Sequence, residues 1–375
     1  MKKVLIGLVL VLGVSPVMAS GVGTLGAKGA VLMEKESKRV LHDVHAWDKL
    51  PMASTTKIMT CIVALENGVL DDIVTVSATA AKAPPVDLKL QTGEKHRLGD
   101  LLYSLMLESH NDTSIAIAEH VGGSVESFCE MMTTKAQEIG ALNTKFETPN
   151  GLDADMHYST PYDLGIIASY ALNNPKFVEI INTPNISIPT TTVEGSRRHD
   201  LQNKNRFLSM VSGAQGVKTG YTSKAGHCFV GAAKRGDMTL IGVALGNFGT
   251  SGKSKKYTDV QKMIEYGFKN YKLYTLVDDG QVIETINVAD GKQDTVKLIA
   301  KEVVVMPLTS DEMSTVQFSV TKPDSIEAPV SQDLQAARLD VVLNSEVLAT
   351  TWLYPSEEVE ALSLIEKVKK FINSF

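Results

Sequence analysis

The spacing of apolar residues changes character along this chain, and those changes fix what it can fold into. Near the start, "AKGAVLMEKESKRVLHDVHA" (27–46) holds two apolar runs, "AVLME" and "RVLHDV", around a polar turn at 35–38, the pattern of a β-hairpin. A helix is expected over "TTKIMTCIVALENG", stopping at Asn67-Gly68. Residues 98–109, 113–123 and 125–142 then carry apolar side chains three and four apart, and "LGIIASYALNN" continues that spacing up to Pro175. Past Pro175 the runs shorten to strand length in "FVEIINT", "NISIPTT", "GVKTGYT", "GHCFVGAAKRG" and "MTLIGVALG". The last two read as an antiparallel pair turning at 235–237, and a helix at 254–271 follows. Strands on both sides of a helical block join one sheet if the block is an insert. Residues 20–275 therefore predict an α/β sandwich, a sheet covered by helices with a helical subdomain.

From Leu276 the helical spacing stops, and short alternating runs between turn signals predict a small all-β domain over 276–354, with no motif that carries chemistry. Residues 355–375 return to helical spacing: Val359, Leu362, Ile365, Val368, Ile372 and Phe375 recur every three or four positions, beside Lys367, Lys369 and Lys370. An amphipathic helix of this kind is expected to lie on a membrane surface, although Glu357, Glu358 and Glu360 weaken its attraction to anionic lipid. The alternative is a helix packed back onto the β domain.

At the other end, Lys2 and Lys3 precede the apolar run "VLIGLVLVLGV", and Val17 and Ala19 offer small residues to a signal peptidase. Residues 1–19 read as a secretory signal cleaved after Ala19, which puts the mature chain outside the cytoplasm. A net charge of −6 and the lack of any basic stripe interleaved with aromatics argue against nucleic acid as a partner. Cys61, Cys129 and Cys228 have no metal-ligand spacing and sit in apolar or helical contexts, so they read as buried, unpaired thiols.

Chemistry is concentrated in three short patterns. In "PMASTTKIMT", Ser54 and Lys57 stand one helical turn apart and share a face. Alone this spacing is weak, and an N-cap by Ser54 or Thr55 explains it equally well. In "LMLESHNDTS", Ser109 and Asn111 flank His110 at a helix-to-helix junction, where both can point into a cleft. In "QGVKTGYTS", Lys218 and Gly220 alternate to one face of a strand, and the glycine lets another backbone approach. A serine nucleophile needs a base, a second proton carrier, oxyanion donors and a cation for an anionic substrate, and these residues supply candidates for each.

The order S-x-x-K, S-x-N, K-T-G resembles the penicillin-recognising serine enzymes. The wording of "LPMASTTKIMT", "PNGLDADMHYST" and "VKTGYTSKAGHCFVGAAKRGDMTLIGVALG" is similar to the D-alanyl-D-alanine carboxypeptidases among the low-molecular-mass penicillin-binding proteins, over roughly residues 27–270. The resemblance implies a β-lactamase/transpeptidase-like fold and a wall enzyme at the outer face of the cytoplasmic membrane, in the cell wall or in the periplasm. It also implies attack by Ser54 on the penultimate D-Ala carbonyl of a peptidoglycan stem peptide, with β-lactams as covalent mimics. Lys57 would be the base, held neutral by burial or by Lys218, and Ser109 would bridge the lysines and pass the proton to the leaving amine. Asn111 would hold the substrate amide, and Thr219 and Lys218 the terminal carboxylate. The backbone N–H groups of Ser54 and Tyr221 would bind the oxyanion, and no metal or organic cofactor is called for. One departure stands out: His110 fills a position that is small in the family, and it is expected to point to solvent, the alternative being a histidine beside the site that tunes the pH dependence. His157 and His227 read as structural contacts. A class A β-lactamase would need a deacylating glutamate; Glu138 precedes Leu142-Asn143 one residue too far away on an ordinary helix. An endopeptidase, or a silent penicillin-binding wall protein with His110 blocking the cleft, are the remaining alternatives.

Overall fold

The structure is a computed structural model that describes residues 21–192 and 195–372. The expected signal segment lies outside the described residues. Strands β1 (Gly29–Glu34) and β2 (Val40–Val44) form the expected hairpin, and after a 3₁₀ turn (Ala53–Thr56) comes helix α1 (Lys57–Asn67). The inserted block holds β3 (Ile73–Thr75), α2 (Ala78–Ala81), β4 (Lys95–Arg97), α3 (Leu98–Leu107), α4 (Asn111–Gly122), α5 (Val125–Glu138), α6 (Pro161–Ala171) and α7 (Pro175–Asn182). It continues through β5 (Asn185–Thr192) and β6 (Gly195–Gln202), and the chain returns as β7 (Ala214–Thr222), β8 (Gly226–Arg235), β9 (Met238–Asn247) and α8 (Gly252–Asn270).

The main sheet runs β2-β1-β9-β8-β7, all antiparallel, so the first strands are stitched to the last through β1 and β9. Alternation along β1 decides the layering. Val31 and Met33 pack into a core with Ile58, Met59 and Ile62 of α1, while Ala30 and Leu32 pack with Val260, Met263 and Ile264 of α8. The result is a sheet with helices on both faces. Strand β7 is the sheet edge, and the 3₁₀ turn packs against it.

One expected strand is a helix. "FVEIINT" lies in α7, because the Asn174 side chain accepts the N–H groups of Lys176 and Phe177, Pro175 occupies the first turn, and Phe177, Ile180 and Ile181 are buried at helical spacing. The helical block also holds a second sheet, β3-β4-β5-β6, whose three-residue strands β3 and β4 gave no sequence signal.

The C-terminal domain is all β. Strands β10 (Lys272–Val277) and β13 (Val304–Leu308) pair with each other. A six-stranded sheet is made of β11 (Val282–Ala289), β12 (Thr295–Ala300), β14 (Gln317–Thr321), β15 (Ser325–Glu327), β16 (Ala337–Leu343) and β17 (Glu346–Pro355). Its core contains Ile286, Leu298, Leu339, Val341 and Leu353. Arg39 joins the two domains: its guanidinium lies 2.6 Å from the Glu312 carboxylate and donates to the Pro307 carbonyl. The terminal helix spans Leu364–Ile372, later than expected, since Val359 is buried in the β domain opposite Val330 and Ala361 pairs with Gly291. Phe375 lies outside the described residues. Among the described residues no helix is long and apolar enough to cross a membrane.

Candidate active site

The S-x-x-K pair is held by the 3₁₀ turn, and Ser54 does not cap the helix. Thr55 and Thr56 turn their hydroxyls back onto the carbonyls of Met52 and Ala53 at 2.6 and 2.9 Å, and α1 has no side-chain cap. Ser54 is thereby left half-buried with its Oγ 3.1 Å from the Nζ of Lys57 and 3.3 Å from the Asn150 carbonyl.

Lys57 is completely buried, at 0% exposure. Its Nζ lies 2.6 Å from the Asn150 carbonyl and 2.8 Å from Asn111 Oδ1, and among the described residues no carboxylate pairs with it. Asp112 is the acid whose field reaches it, but that carboxylate accepts the backbone N–H groups of Leu88 and Leu90. Burial first, then the Lys218 charge, hold the Lys57 amine well below the ordinary lysine range, and Asp112 opposes them. A neutral amine has two N–H bonds and one lone pair. In that form, with its two hydrogens on these two oxygens, which can only accept, the amine would keep its lone pair for the hydroxyl proton of Ser54.

Lys218 and Gly220 lie on the buried face of β7, and Thr219 and Tyr221 alternate to the more exposed face. Gly220 is required by proximity: a Cβ there would come within 2.8 Å of the Ser54 nitrogen. Lys218 Nζ donates to the Thr219 carbonyl at 3.1 Å, and burial, then the charge of Lys256, draw it down to about 7. Lys256 is a third buried lysine, lowered to about 8 by burial, with Lys253 adding to the fall and Cys228 opposing it. It escaped the sequence reading, although it stands in the buried stripe Lys256, Val260, Met263/Ile264, Gly267 of α8, where a lysine is out of place. Asn150 was also missed; its carbonyl works without regard to its side chain, and such a contact has no sequence signal.

The S-x-N turn differs from expectation. Ser109 has φ +71°, and its buried Oγ has no hydrogen-bond partner among the described residues, so it does not bridge the lysines. Asn111 Oδ1 accepts from Lys57 Nζ, and its Nδ2–H donates to the Pro84 carbonyl at 3.0 Å, so it braces the Lys57 amine. His110 does not point to solvent and does not block the cleft: at 4% exposure it is turned inward between α3 and α4. His157 is structural as read, bonded to the Thr56 hydroxyl at 2.8 Å and to the Glu147 N–H at 3.1 Å. His227 stacks on Tyr221 with ring centres 4.3 Å apart. Glu138 is exposed and paired with Lys135 at 2.8 Å on the far end of α5, where a deacylating carboxylate is of no use. The three thiols are free and buried.

Comparison with known proteins decides the family. The D-alanyl-D-alanine carboxypeptidase family of serine peptidases matches residues 16–249. The chain belongs to that family. Residues 271–361 match the C-terminal domain of penicillin-binding protein 5. The D-alanyl-D-alanine carboxypeptidase DacF of Bacillus subtilis is 31% identical over 350 residues, covering 92% of this chain and 88% of the relative. Penicillin-binding protein 5 of Haemophilus influenzae superposes with a TM-score of 0.77 at 25% identity, over 93% of this chain and all of that one. A Streptomyces DD-transpeptidase superposes with a TM-score of 0.62 at 34% identity, over 66% of this chain and 99% of that one. The protein is a serine-type D-alanyl-D-alanine carboxypeptidase, in a family that binds β-lactams and acts on peptidoglycan.

Proposed function

We propose that Ser54 is the nucleophile and Lys57 its base. The observation that carries this reading is the fully buried Lys57 amine, 3.1 Å from the Ser54 hydroxyl and held there by the Asn150 carbonyl and Asn111 Oδ1. Ser54 Oγ attacks the penultimate D-Ala carbonyl of a stem peptide as its proton passes to Lys57. The oxyanion is met by the N–H groups of Ser54 and Tyr221. Collapse of the tetrahedral adduct breaks the C–N bond and expels D-alanine, whose nitrogen takes the proton that Lys57 received, relayed by Ser109 once bound substrate connects the two, and water then hydrolyses the ester and restores the Ser54 hydroxyl. The unpartnered Ser109 hydroxyl suits a group whose partner arrives with substrate. Strand β7 offers an open edge to an extended peptide, with Thr219 and the field of Lys218 and Lys256 at the substrate carboxylate. Asn111 Oδ1 keeps a second lone pair for a substrate N–H.

The mature protein is expected to release D-alanine from diacetyl-Lys-D-Ala-D-Ala and to take up labelled penicillin at a single site, which peptide mapping by mass spectrometry assigns to Ser54. Label on any other residue would sink the assignment. Labelling without D-alanine release would favour an endopeptidase or a silent binding protein.

We infer further that the protein is exported and that its terminal helix lies on a membrane. Leu364 (81%), Ile365 (70%), Val368 and Ile372 are exposed, while Lys367 and Lys370 are tied to Asp290 and Asp294 of the β domain, so the apolar side faces outward. Co-sedimentation of the full chain with phosphatidylglycerol vesicles checks this. Binding is expected to fall at least tenfold in Ile365→Asp, and equal binding by that variant would refute it.

A further inference from the structure

His110 occupies the middle of the S-x-N motif, and the proposed reaction gives it no role. Its surroundings are those of a built part. Nδ1 lies 2.9 Å from the Ser104 hydroxyl of α3, and that hydroxyl lies 2.9 Å from the Thr113 hydroxyl of α4. Nε2 lies 3.5 Å from the Glu108 carboxylate, and the Ser114 hydroxyl donates to the His110 carbonyl at 2.9 Å. Glu108 in turn accepts the Gln202 N–H at 2.8 Å and stands 3.3 Å from Lys204, while the Lys204 N–H donates to the Leu107 carbonyl. The ring therefore joins the turn to α3, to α4 and, through Glu108, to the segment that leads from β6 towards β7.

What it holds is a strained residue. Ser109, at φ +71°, is not glycine, and such a conformation costs about 1–2 kcal/mol and persists where its neighbours enforce it. We propose that His110 is a positioning residue of the acylation step: as a neutral acceptor it braces the turn that presents Ser109 and Asn111, and protonating it releases that turn and switches acylation off in acid.

Hydrogen-bond counting supports the switch. With a neutral ring, Thr113 donates to Ser104, Ser104 donates to Nδ1, and Nε2–H faces Glu108, so each hydroxyl proton has an acceptor. A protonated ring must donate from Nδ1. Ser104 then turns its proton to Thr113, and the Thr113 proton has no acceptor among its bonds. The added charge also draws the ring towards Glu108 and away from Ser104. The groups facing the ring are Glu108, Asp112, Asp87, Lys57 and, from β6, His199. Burial is the largest influence and lowers its affinity for a proton, with Lys57 adding to it, while Asp112, Glu108 and Asp87 oppose.

This inference rests on the acylation reading, and the test separates the two. Acylation by a fluorescent penicillin is measured from pH 4.5 to 8 in the parent, His110→Ala, His110→Asn and Ser104→Ala. Asn keeps an acceptor near the Nδ1 position and cannot be protonated. The parent is expected to lose rate as the pH falls, with a log-log slope above 1, since both Lys57 and His110 take up protons. His110→Asn should stay within about threefold of the parent at pH 7 and fall in acid with a slope of 1. His110→Ala should lose about tenfold or more at pH 7, with the gap to the parent closing in acid as the parent's own brace is released, and Ser104→Ala, which leaves the ring in place, about threefold or more at pH 7. The inference is overturned if His110→Ala acylates within twofold of the parent at pH 7, or if the His110→Asn profile superimposes on the parent's. Should the alanine variant fail to fold, the Ser104→Ala rate and the asparagine profile still decide. A parent that is not acylated at all would instead fail the proposed function.

Discussion

Lys57→Met is expected to lower penicillin acylation and D-alanine release by roughly a thousandfold or more, because the substitution removes the group proposed to take the Ser54 proton, a contribution of about 10²–10⁴ for general bases. The effect on stability is expected to be small. Methionine fills a similar volume and spares the fold a buried amine, which offsets the about 1–3 kcal/mol for Asn111 Oδ1 losing its donor, while the Asn150 carbonyl keeps the Ser54 hydroxyl. Lys57→Arg distinguishes base from cation. A guanidinium stays charged at every accessible pH, so it keeps the positive field and lacks the lone pair. Stopped-flow acylation with circular dichroism on both variants makes the check. An arginine variant retaining more than about a tenth of the parent rate would make Lys57 an electrostatic anchor and not a base. In the parent, the rate should rise as pH climbs through the depressed Lys57 value, since the neutral amine is the active form. Peptide affinity should then fall above about 7 to 8, as Lys218 and Lys256 lose the charges that attract the substrate carboxylate.

The residues that form this site were legible where they are read as types at a spacing, and hidden where the structure uses backbone. Ser54, Lys57, Asn111, Lys218 and Gly220 lie in the motifs that named them, and the structure gathers them at the junction of α1, α4 and β7. The Asn150 carbonyl was invisible because a carbonyl has no residue identity. Ser109 was placed correctly in its turn, but its expected bond to the lysines was not made. His110 was misjudged because histidine in a polar-looking loop reads as exposed, whereas Ser104 and Thr113, six residues before it and three after, are what draw it inward. The fold followed the same rule. Long periodic helices and the apolar strands β8 and β9 were recognised, while α7 was mistaken for a strand because its β-branched residues outweighed a short helical pattern. The terminal helix was drawn too early because Val359 fits the helical stripe and also the β-domain core.

Gly151→Ala is the second large effect, and it tests the part of the site that the sequence hid. Gly151 has φ +85°, and a Cβ there would be driven into the carbonyl of Ala53 and come within 2.9 Å of the Ser54 nitrogen. The loop would have to lift, carrying the Asn150 carbonyl away from both Lys57 Nζ and Ser54 Oγ. Without that acceptor the lysine lone pair is no longer directed at the hydroxyl, and misplacement of about 1 Å costs on the order of a hundredfold. Acylation is therefore expected to drop by about a hundredfold or more, and stability by about 2 kcal/mol from backbone strain and clash together. Gly123→Ala supplies the comparison. That glycine has φ +75° but nothing within 4 Å of its Cβ, so it bears the strain alone: about 1 kcal/mol in urea unfolding, with acylation unchanged. Acylation of Gly151→Ala within about fivefold of the parent would mean that the Asn150 carbonyl does not orient the base. The difference between the two alanines then measures what close packing of the 150–151 loop against the Ser54 turn contributes to the chemistry.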